Sequence, residues 1–411
     1  VASRSSDHAP RLAPDDTASV IASARRAVLA DRFAINAFAV EWRWLSELLP
    51  LAGAWRDLAA RALEPNVFYE PAFALAAAAV FGNDVGAVLV WSGTQPRQLL
   101  GFFPARIEER HYGIKLPILT GWTHPYAPLG TPLVDREAAE PAIAAWLAHI
   151  ATNPALPGLL LLPLVAEDGA FASALSRSLE RSQIEWTDFG RHSRALLVPG
   201  DDRAHYLERA VSTHRHRELR RTGRRLADQG ALLFTTATTP QSVAADIEDF
   251  FALETAGWKG DGGTAAASSI ELHGFFKAAV EELAFEGKAQ VDRLLLDGRA
   301  IAAAVTLISG STAWYWKIAY DEAYARYAPG MLLSAALTER LAEEEGVART
   351  DSCAGSGPSM LDPLWSERLH LCDRMIAVCP SAPFAVASRL ETLRRAAIGT
   401  AKALRAHFRK R

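Results

Sequence analysis

Cysteine is scarce: 411 residues contain only Cys353, Cys372 and Cys379. Three thiols make no disulfide framework, and without paired short spacings they make no zinc site, so a reducing, cytoplasmic setting without bound metal is the expectation. Long apolar runs are also missing. No stretch of about eighteen uncharged apolar residues occurs, which argues against a membrane-spanning helix. The opening residues, VASRSSDHAPRLAPDD, put charge and proline where a secretion signal needs an apolar centre, so 1–34 reads as a mobile leader and first helix. Charge of one sign is not in excess either. A net charge of -3 gives no global pull toward nucleic acid or an anionic membrane, and any such attraction must be local. Two catalytic signatures are absent. Gly355-Ser356-Gly357 is not the Gly-x-Ser-x-Gly of a hydrolase elbow, and no Gly-Lys-Ser/Thr follows a glycine at the spacing of a phosphate-binding loop.

What is present is apolar content of 50%, enough for two cores of ordinary domain size. Apolar residues at three- and four-residue spacing predict helices over 19–33 and 40–63, and Pro71 at a first-turn position opens another over 68–82. Short β-rich runs at 86–93 and 98–110 predict a strand pair. The stretch 115–135 carries so many Pro and Gly residues that loop and edge strand are expected, and such stretches commonly line sites. A helix at 140–153, a strand at 157–165, a helix at 170–182 and a strand at 184–199 follow. A similar order then restarts: a strand at 231–238, helices at 243–258 and 271–287, strands at 289–298 and 300–310 joined by Asp297-Gly298, an aromatic strand and a helix from Met331. The pattern is mixed α/β in two tandem domains of related architecture, 35–199 and 200–380, with a basic helix or tail over 381–411.

Several constellations could carry chemistry. The segment 311–337 is an aromatic strand with Trp314, Tyr315 and Trp316, then a short polar loop, then a helix entered through Pro329-Gly330. Backbone N–H groups at such a helix start can hold a phosphate, with Arg326 close by. Glu254 ends a helix before Trp258 and Lys259 in a glycine-rich loop able to cover a ligand. Asp351 falls at a strand end, with Trp365, Glu367 and Arg368 on an expected helix beyond it. Arg217, Arg221 and Arg224 share a helical face that could meet an anionic ligand or simply be solvated, and no interleaved aromatics suggest single-stranded nucleic acid. The cationic C-terminus could touch a membrane surface or a partner, or be a solubilising tail.

Taken together, EPNVFYEPAF, YAPLGTPLVD, HRHRELRRTGRRL, ETAGWKGDGGTA, WYWKIAYDEAYARYAPGMLL and DSCAGSGPSMLDPLWSERL resemble the acetyltransferase-like CelD group of bacterial cellulose and exopolysaccharide biosynthesis. That group belongs to the GNAT superfamily and is related to the FemAB aminoacyltransferases. The resemblance implies two tandem GNAT folds, each a mostly antiparallel sheet flanked by helices, with transfer performed mainly by the second. It also implies an acyl-coenzyme A co-substrate, acetyl-coenzyme A above all, held along Lys317, Ile318, Arg326, Gly330, Met331 and Leu332. In the family's Arg/Gln-x-x-Gly-x-Gly/Ala turn, this chain keeps Arg326 and one glycine. Pro329 takes the first glycine position and removes a donor, and Met331 takes the last small one.

The implied reaction is direct attack of an amine on a thioester, with Glu254 or Asp351 as base and Tyr320 or Tyr324 as acid. Backbone N–H groups along 316–320 would serve the carbonyl oxygen. The acceptor, a small molecule or glycan amine such as an amino sugar or polysaccharide precursor, would meet Trp258, Lys259, Tyr126, Arg221 and Trp316. An aminoacyl transfer of the FemAB kind, or a non-catalytic module binding an anionic glycan or nucleotide, are the alternatives. No sequence-specific nucleic acid is expected, and the basic C-terminus would make any contact with membrane or polysaccharide-synthesis proteins.

Overall fold

The computed structural model describes residues 38–256, 269–379 and 383–409. The first unit runs β1 (Phe38–Trp44), α1 (Ala52–Arg61), α2 (Pro71–Phe81), β2 (Val85–Ser92), β3 (Leu99–His111), β4 (Ile114–Gly121), β5 (Leu133–Val134), α3 (Ala139–Thr152), β6 (Leu159–Ala166), α4 (Ala170–Arg181) and β7 (Trp186–Leu197). Two helices, α5 (Tyr206–Ala210) and α6 (Thr213–Ala227), lead to the second unit. That unit runs β8 (Leu232–Ala237), α7 (Pro240–Ala256), α8 (Ile270–Phe285), β9 (Ala289–Leu296), β10 (Arg299–Ser309), β11 (Thr312–Tyr320), α9 (Pro329–Glu343), β12 (Arg349–Asp351) and β13 (Glu367–Ala377), before a last helix, α10 (Phe384–Arg409).

Each unit repeats one plan: a strand, two helices, an antiparallel meander of three more strands, and a crossover helix into a parallel strand. Thus β4 pairs parallel with β6 across α3, and β11 pairs parallel with β12 across α9. The fold is mixed α/β, two tandem units whose strands join one mostly antiparallel sheet in the order β1-β2-β3-β4-β6-β13-β7-β12-β11-β10-β9-β8. At its centre the units exchange strands. The last strand of the second unit, β13, lies between β6 and β7, while β7 lies between β13 and β12. No helix among the described residues is long and apolar enough to cross a membrane.

Alternation along the strands feeds two faces. On β10, Ala303, Val305 and Leu307 join a cluster with α2, α7 and α8, while Ala302, Ala304 and Ile308 face α9. On β2, Leu89 and Trp91 join the same shared cluster, while Val88 and Val90 face α3. Helices α2 and α8, one from each unit, thereby meet over the sheet. Phe73 and Phe275 cross edge to face with centroids 5.6 Å apart, a geometry that adds about 0.5–1.5 kcal/mol to the burial itself.

Three local expectations give way. Residues 40–44 belong to β1, not a helix: Phe38, Val40 and Trp42 pack at every second position, and the strand pairs with β2 along its length. β4 is an internal strand, not an edge. Pro117 is tolerated because no ladder pairing is formed at its position, beside a register shift in β3 at Glu108/Arg110. Glu367 and Arg368 start β13, not a helix, because Leu371, Cys372, Met375 and Ile376 are buried between two strands of the other unit. The Asp297-Gly298 turn is as expected, with φ of 49° and 80°.

Candidate functional site

β11 and β12 pair only at Thr312–Arg349, Ala313–Thr350 and Trp314–Asp351. β11 then continues to Tyr320 along β10, whereas β12 ends and the chain turns away through Cys353 at φ 54°. The two strands part, and the second half of β11 forms one wall of the opening.

A register shift in β10 at Val305/Thr306 leaves Trp316 as the extra residue of a β-bulge, opposite no rung of its own. A bulge puts two successive side chains on one face. Trp316 stacks on Phe276 at 4.3 Å and donates from its indole Nε1 to the Tyr126 carbonyl at 2.8 Å. Lys317 follows it, with Nζ 4.3 Å from the centre of the Tyr126 ring. Tyr126 comes from the first unit, in the loop after β4. Glu254, near the end of α7, is buried, and its charge adds to burial in raising the Tyr126 phenol above its ordinary pKa. The neighbouring His124 accepts the Tyr126 N–H at Nδ1 and stacks on Phe81 at 4.2 Å. Burial first, then the Lys317 and Arg106 charges, push its pKa down to about 3, so this imidazole is neutral.

The start of α9 lies on the opposite face. Gly330 lets it come close: a Cβ there would stand 3.2 Å from Tyr320 Cδ1 and 3.5 Å from Ile318 Cδ1. Ser334 bonds the Gly330 carbonyl and the Tyr315 hydroxyl, each at 2.8 Å, and Thr338 bonds the Ser334 carbonyl and receives the Trp365 indole. This chain of bonds fastens α9 to β11. Ala328, left-handed at φ 46°, caps the helix without a side-chain bond. Its carbonyl takes the N–H groups of both Met331 and Leu332, and Pro329 has none. Gly330 is thus the main backbone donor that this helix start can turn to a ligand. On the turn before the helix, Arg326 and, from α6, Arg225 approach the Tyr327 ring at 4.7 and 5.7 Å. The backbone cradle at this helix start is narrower than a glycine-rich turn would make it.

The expected residues therefore divide between two faces. Ile318, Tyr320, Gly330, Met331 and Leu332 gather around the start of α9, with Tyr324 and Arg326 on the turn before it. Lys317, expected with them, sits instead with Tyr126, Trp316 and Glu254. Arg221 is exposed on α6, whose Gly223 lies against Leu332. Asp351 is buried against the Arg194 guanidinium and also accepts the Cys353 N–H, at the junction of the two units. Trp258 and Lys259 lie outside the described residues. Neither His124 nor Arg194 stands out in the sequence. The only signal for His124 is its place in the Pro- and Gly-rich stretch 115–135, and an arginine inside a strand gives none.

Residues 213–358, from α6 to just beyond β12, match the family described as an acetyltransferase (GNAT) domain. No curated protein matches the chain. Among solved structures, FemX is 10% identical, over 79% of this chain and 95% of that one, with a TM-score of 0.54. The C-terminal domain (DUF2156) of a putative lysylphosphatidylglycerol synthetase from Agrobacterium fabrum is 13% identical, over 83% and 95%, with a TM-score of 0.51. At such identities the likeness is one of fold. The parting of β11 from β12 and the start of α9 both fall inside the stretch that matches the GNAT acetyltransferase domain, in a chain whose fold is similar to FemX over most of its length.

Proposed function

We propose that the chain moves an acyl group from an acyl-coenzyme A, acetyl-coenzyme A first among them, to an amine. The observation that carries this reading is the opening between β11 and β12, with Gly330 and two arginines on one face and Glu254 on the other. The thioester supplies an activated carbonyl. Its diphosphate would rest on the Gly330 N–H, Arg326 and Arg225, and its carbonyl would lie along the bulged half of β11. The amine nitrogen attacks that carbonyl, Glu254 takes the amine proton, and backbone N–H groups along 316–320 bear the developing oxygen charge. Tyr320, packed on the start of α9, protonates the departing thiolate. No protein nucleophile takes part. Burial, and then the Asp351 charge, push the Cys353 thiol well above its ordinary pKa, so it stays protonated.

A second reading, transfer of an aminoacyl group from a larger polyanionic carrier, draws on the exposed arginines 217, 220, 221, 224 and 225 of α6. Thermal unfolding with acetyl-coenzyme A separates the two. A ligand at a hundred times its Kd adds about 2.7 kcal/mol, so acyl-coenzyme A should raise Tm on the first reading and leave it unmoved on the second. In the same assay Glu254→Gln should keep the ligand-induced shift while turnover drops about 10²- to 10⁴-fold. Full turnover in that variant would remove Glu254 as the base.

A further inference from the structure

Eight of the 28 residues from Phe384 onward are lysine or arginine against a single acid, Glu391, in a chain whose net charge is -3. Positive charge is thus concentrated on α10, and the remainder of the chain is acidic. Ala387, Glu391 and Arg395, one turn apart, face the sheet: Ala387 packs with Leu161 and Met375, Glu391 is buried, and Arg395 reaches Asp373. Leu161 belongs to that cluster while Leu160 and Leu162 face α3, so α10 packs on the sheet face opposite α3, the face that carries Trp316 and Tyr126. Past Arg395 the helix runs on to Arg409, with Ala396, Ala397, Ile398 and Thr400 exposed. Its stripe away from the sheet is apolar and in solvent. Val386 is 50% and Leu393 66% exposed, Leu390 and Ala397 continue the stripe at three- and four-residue steps, and the sequence resumes the spacing at Leu404 and Phe408. Arg389 and Arg394, both exposed, flank the stripe on either side, Arg394 while bonded to Glu391.

We infer that α10 is an attachment surface for an anionic lipid bilayer, lying along it with Val386, Leu390, Leu393 and Ala397 among the headgroups and the flanking arginines at the level of the phosphates. A helix with an apolar stripe bordered by lysine and arginine lies in the plane of such an interface, held by the apolar area it buries and by attraction to anionic lipid. Charge complementarity selects the bilayer over a second copy of the chain. Two copies of α10 set stripe to stripe would bring like charges together, whereas lipid phosphates answer them. The contact is peripheral, since no helix among the described residues is long and apolar enough to cross. The bilayer then lies on the side of the sheet that holds Tyr126 and Trp316. This inference stands apart from the acyl-transfer reading and survives its failure.

The experiment is co-sedimentation of the full chain with two kinds of vesicle, phosphatidylcholine alone and phosphatidylcholine with about one third phosphatidylglycerol. Each cation near an anionic surface strengthens partition about fivefold, so the mixed vesicles should bind about a hundredfold more tightly or better. Raising salt from about 0.1 M to about 1 M, which shortens the screening length from about 10 Å to about 3 Å, should remove most of that preference. Val386→Ser with Leu393→Ser withdraws the apolar hold and should weaken binding to mixed vesicles about tenfold or more, with Tm nearly unmoved because both side chains are in solvent. Arg389→Gln should weaken it about fivefold. Failure to bind mixed vesicles, equal binding to both kinds, or unchanged binding by the double variant overturns the inference, the last by placing attachment elsewhere on the chain. Sedimentation velocity without lipid reads the competing occupant: a parent dimer that the double variant loses, with no binding to mixed vesicles, assigns the stripe to a second copy and overturns the inference as well.

Discussion

Arg194 and Asp351 meet at the point where the two units exchange strands, both side chains nearly inaccessible, and Arg194 also donates to the Pro128 carbonyl at 2.9 Å. Removing one member of a buried pair leaves the other charged and unpaired, at a cost of about 3–5 kcal/mol, whereas replacing both by apolar groups of similar volume is often neutral. Arg194→Met should therefore lower stability by about 3–5 kcal/mol in urea unfolding, and Arg194→Met with Asp351→Leu should recover most of it. The same double variant bears on chemistry. If its turnover per folded molecule stays within a few-fold of the parent, Asp351 is not the base; a loss as large as that of Glu254→Gln would make it one. In the sequence, Glu254 and Asp351 are equivalent acids at element ends. What separates them is an arginine 157 residues away from Asp351, which no local pattern could supply.

Among the elements, α9 shows how much of a site a sequence can carry. Strand, turn and helix start are all legible in 311–337, since aromatic residues favour the strand and proline favours the first helical turn. The bond accounting at the helix start is not. Met331 and Leu332 both donate to the Ala328 carbonyl, and Ala328 itself takes a left-handed conformation that a non-glycine residue rarely adopts. Pro329→Ala returns a donor at the first helical position, and a hydrogen bond to a charged group contributes about 1.5–3 kcal/mol. Calorimetry should show acetyl-coenzyme A binding about tenfold tighter to this variant; an unchanged Kd would mean the diphosphate does not lie at this helix start.

Helix α10 is held differently. Burial raises the Glu391 carboxyl, but hydrogen bonds from Arg394 and the charges of Arg395 and Arg394 outweigh it and hold the pKa down at about 2. Arg395 in turn reaches Asp373 on β13. A carboxylate whose folded pKa is lowered contributes stability that is complete above its unfolded value, about 4.3, and is lost as pH falls from there through the folded value. Protection factors for hydrogen exchange along 384–398 should therefore fall between about pH 4.5 and pH 2, and Glu391→Gln should show that lower protection already at pH 7.

For the whole molecule, the strand exchange decides what can exist alone. A chain ending near residue 199 would lack β13 between β6 and β7, and a chain beginning there would lack β7 between β12 and β13. Each piece would expose long strand edges of the kind that drive association. Expressed separately, residues 38–199 and 200–409 should fail to give a cooperative thermal transition, and co-expression should restore one. A cooperative transition from either piece alone would show that its sheet closes without the other.

The sequence by itself determined the local alphabet: strands where β-branched and aromatic residues run, helix starts at prolines, a hairpin at Asp297-Gly298, and a repeated order that makes two related units. These follow from near-neighbour sterics and periodicity, which a linear chain carries within ten or fifteen residues. Tertiary structure alone decided that 38–44 and 367–377 are strands, that β7 and β13 change places, and that Tyr126 and His124 of one unit stand over Lys317 and Glu254 of the other. Those outcomes depend on which apolar faces and charges meet across more than a hundred residues, and that is settled by burial in three dimensions.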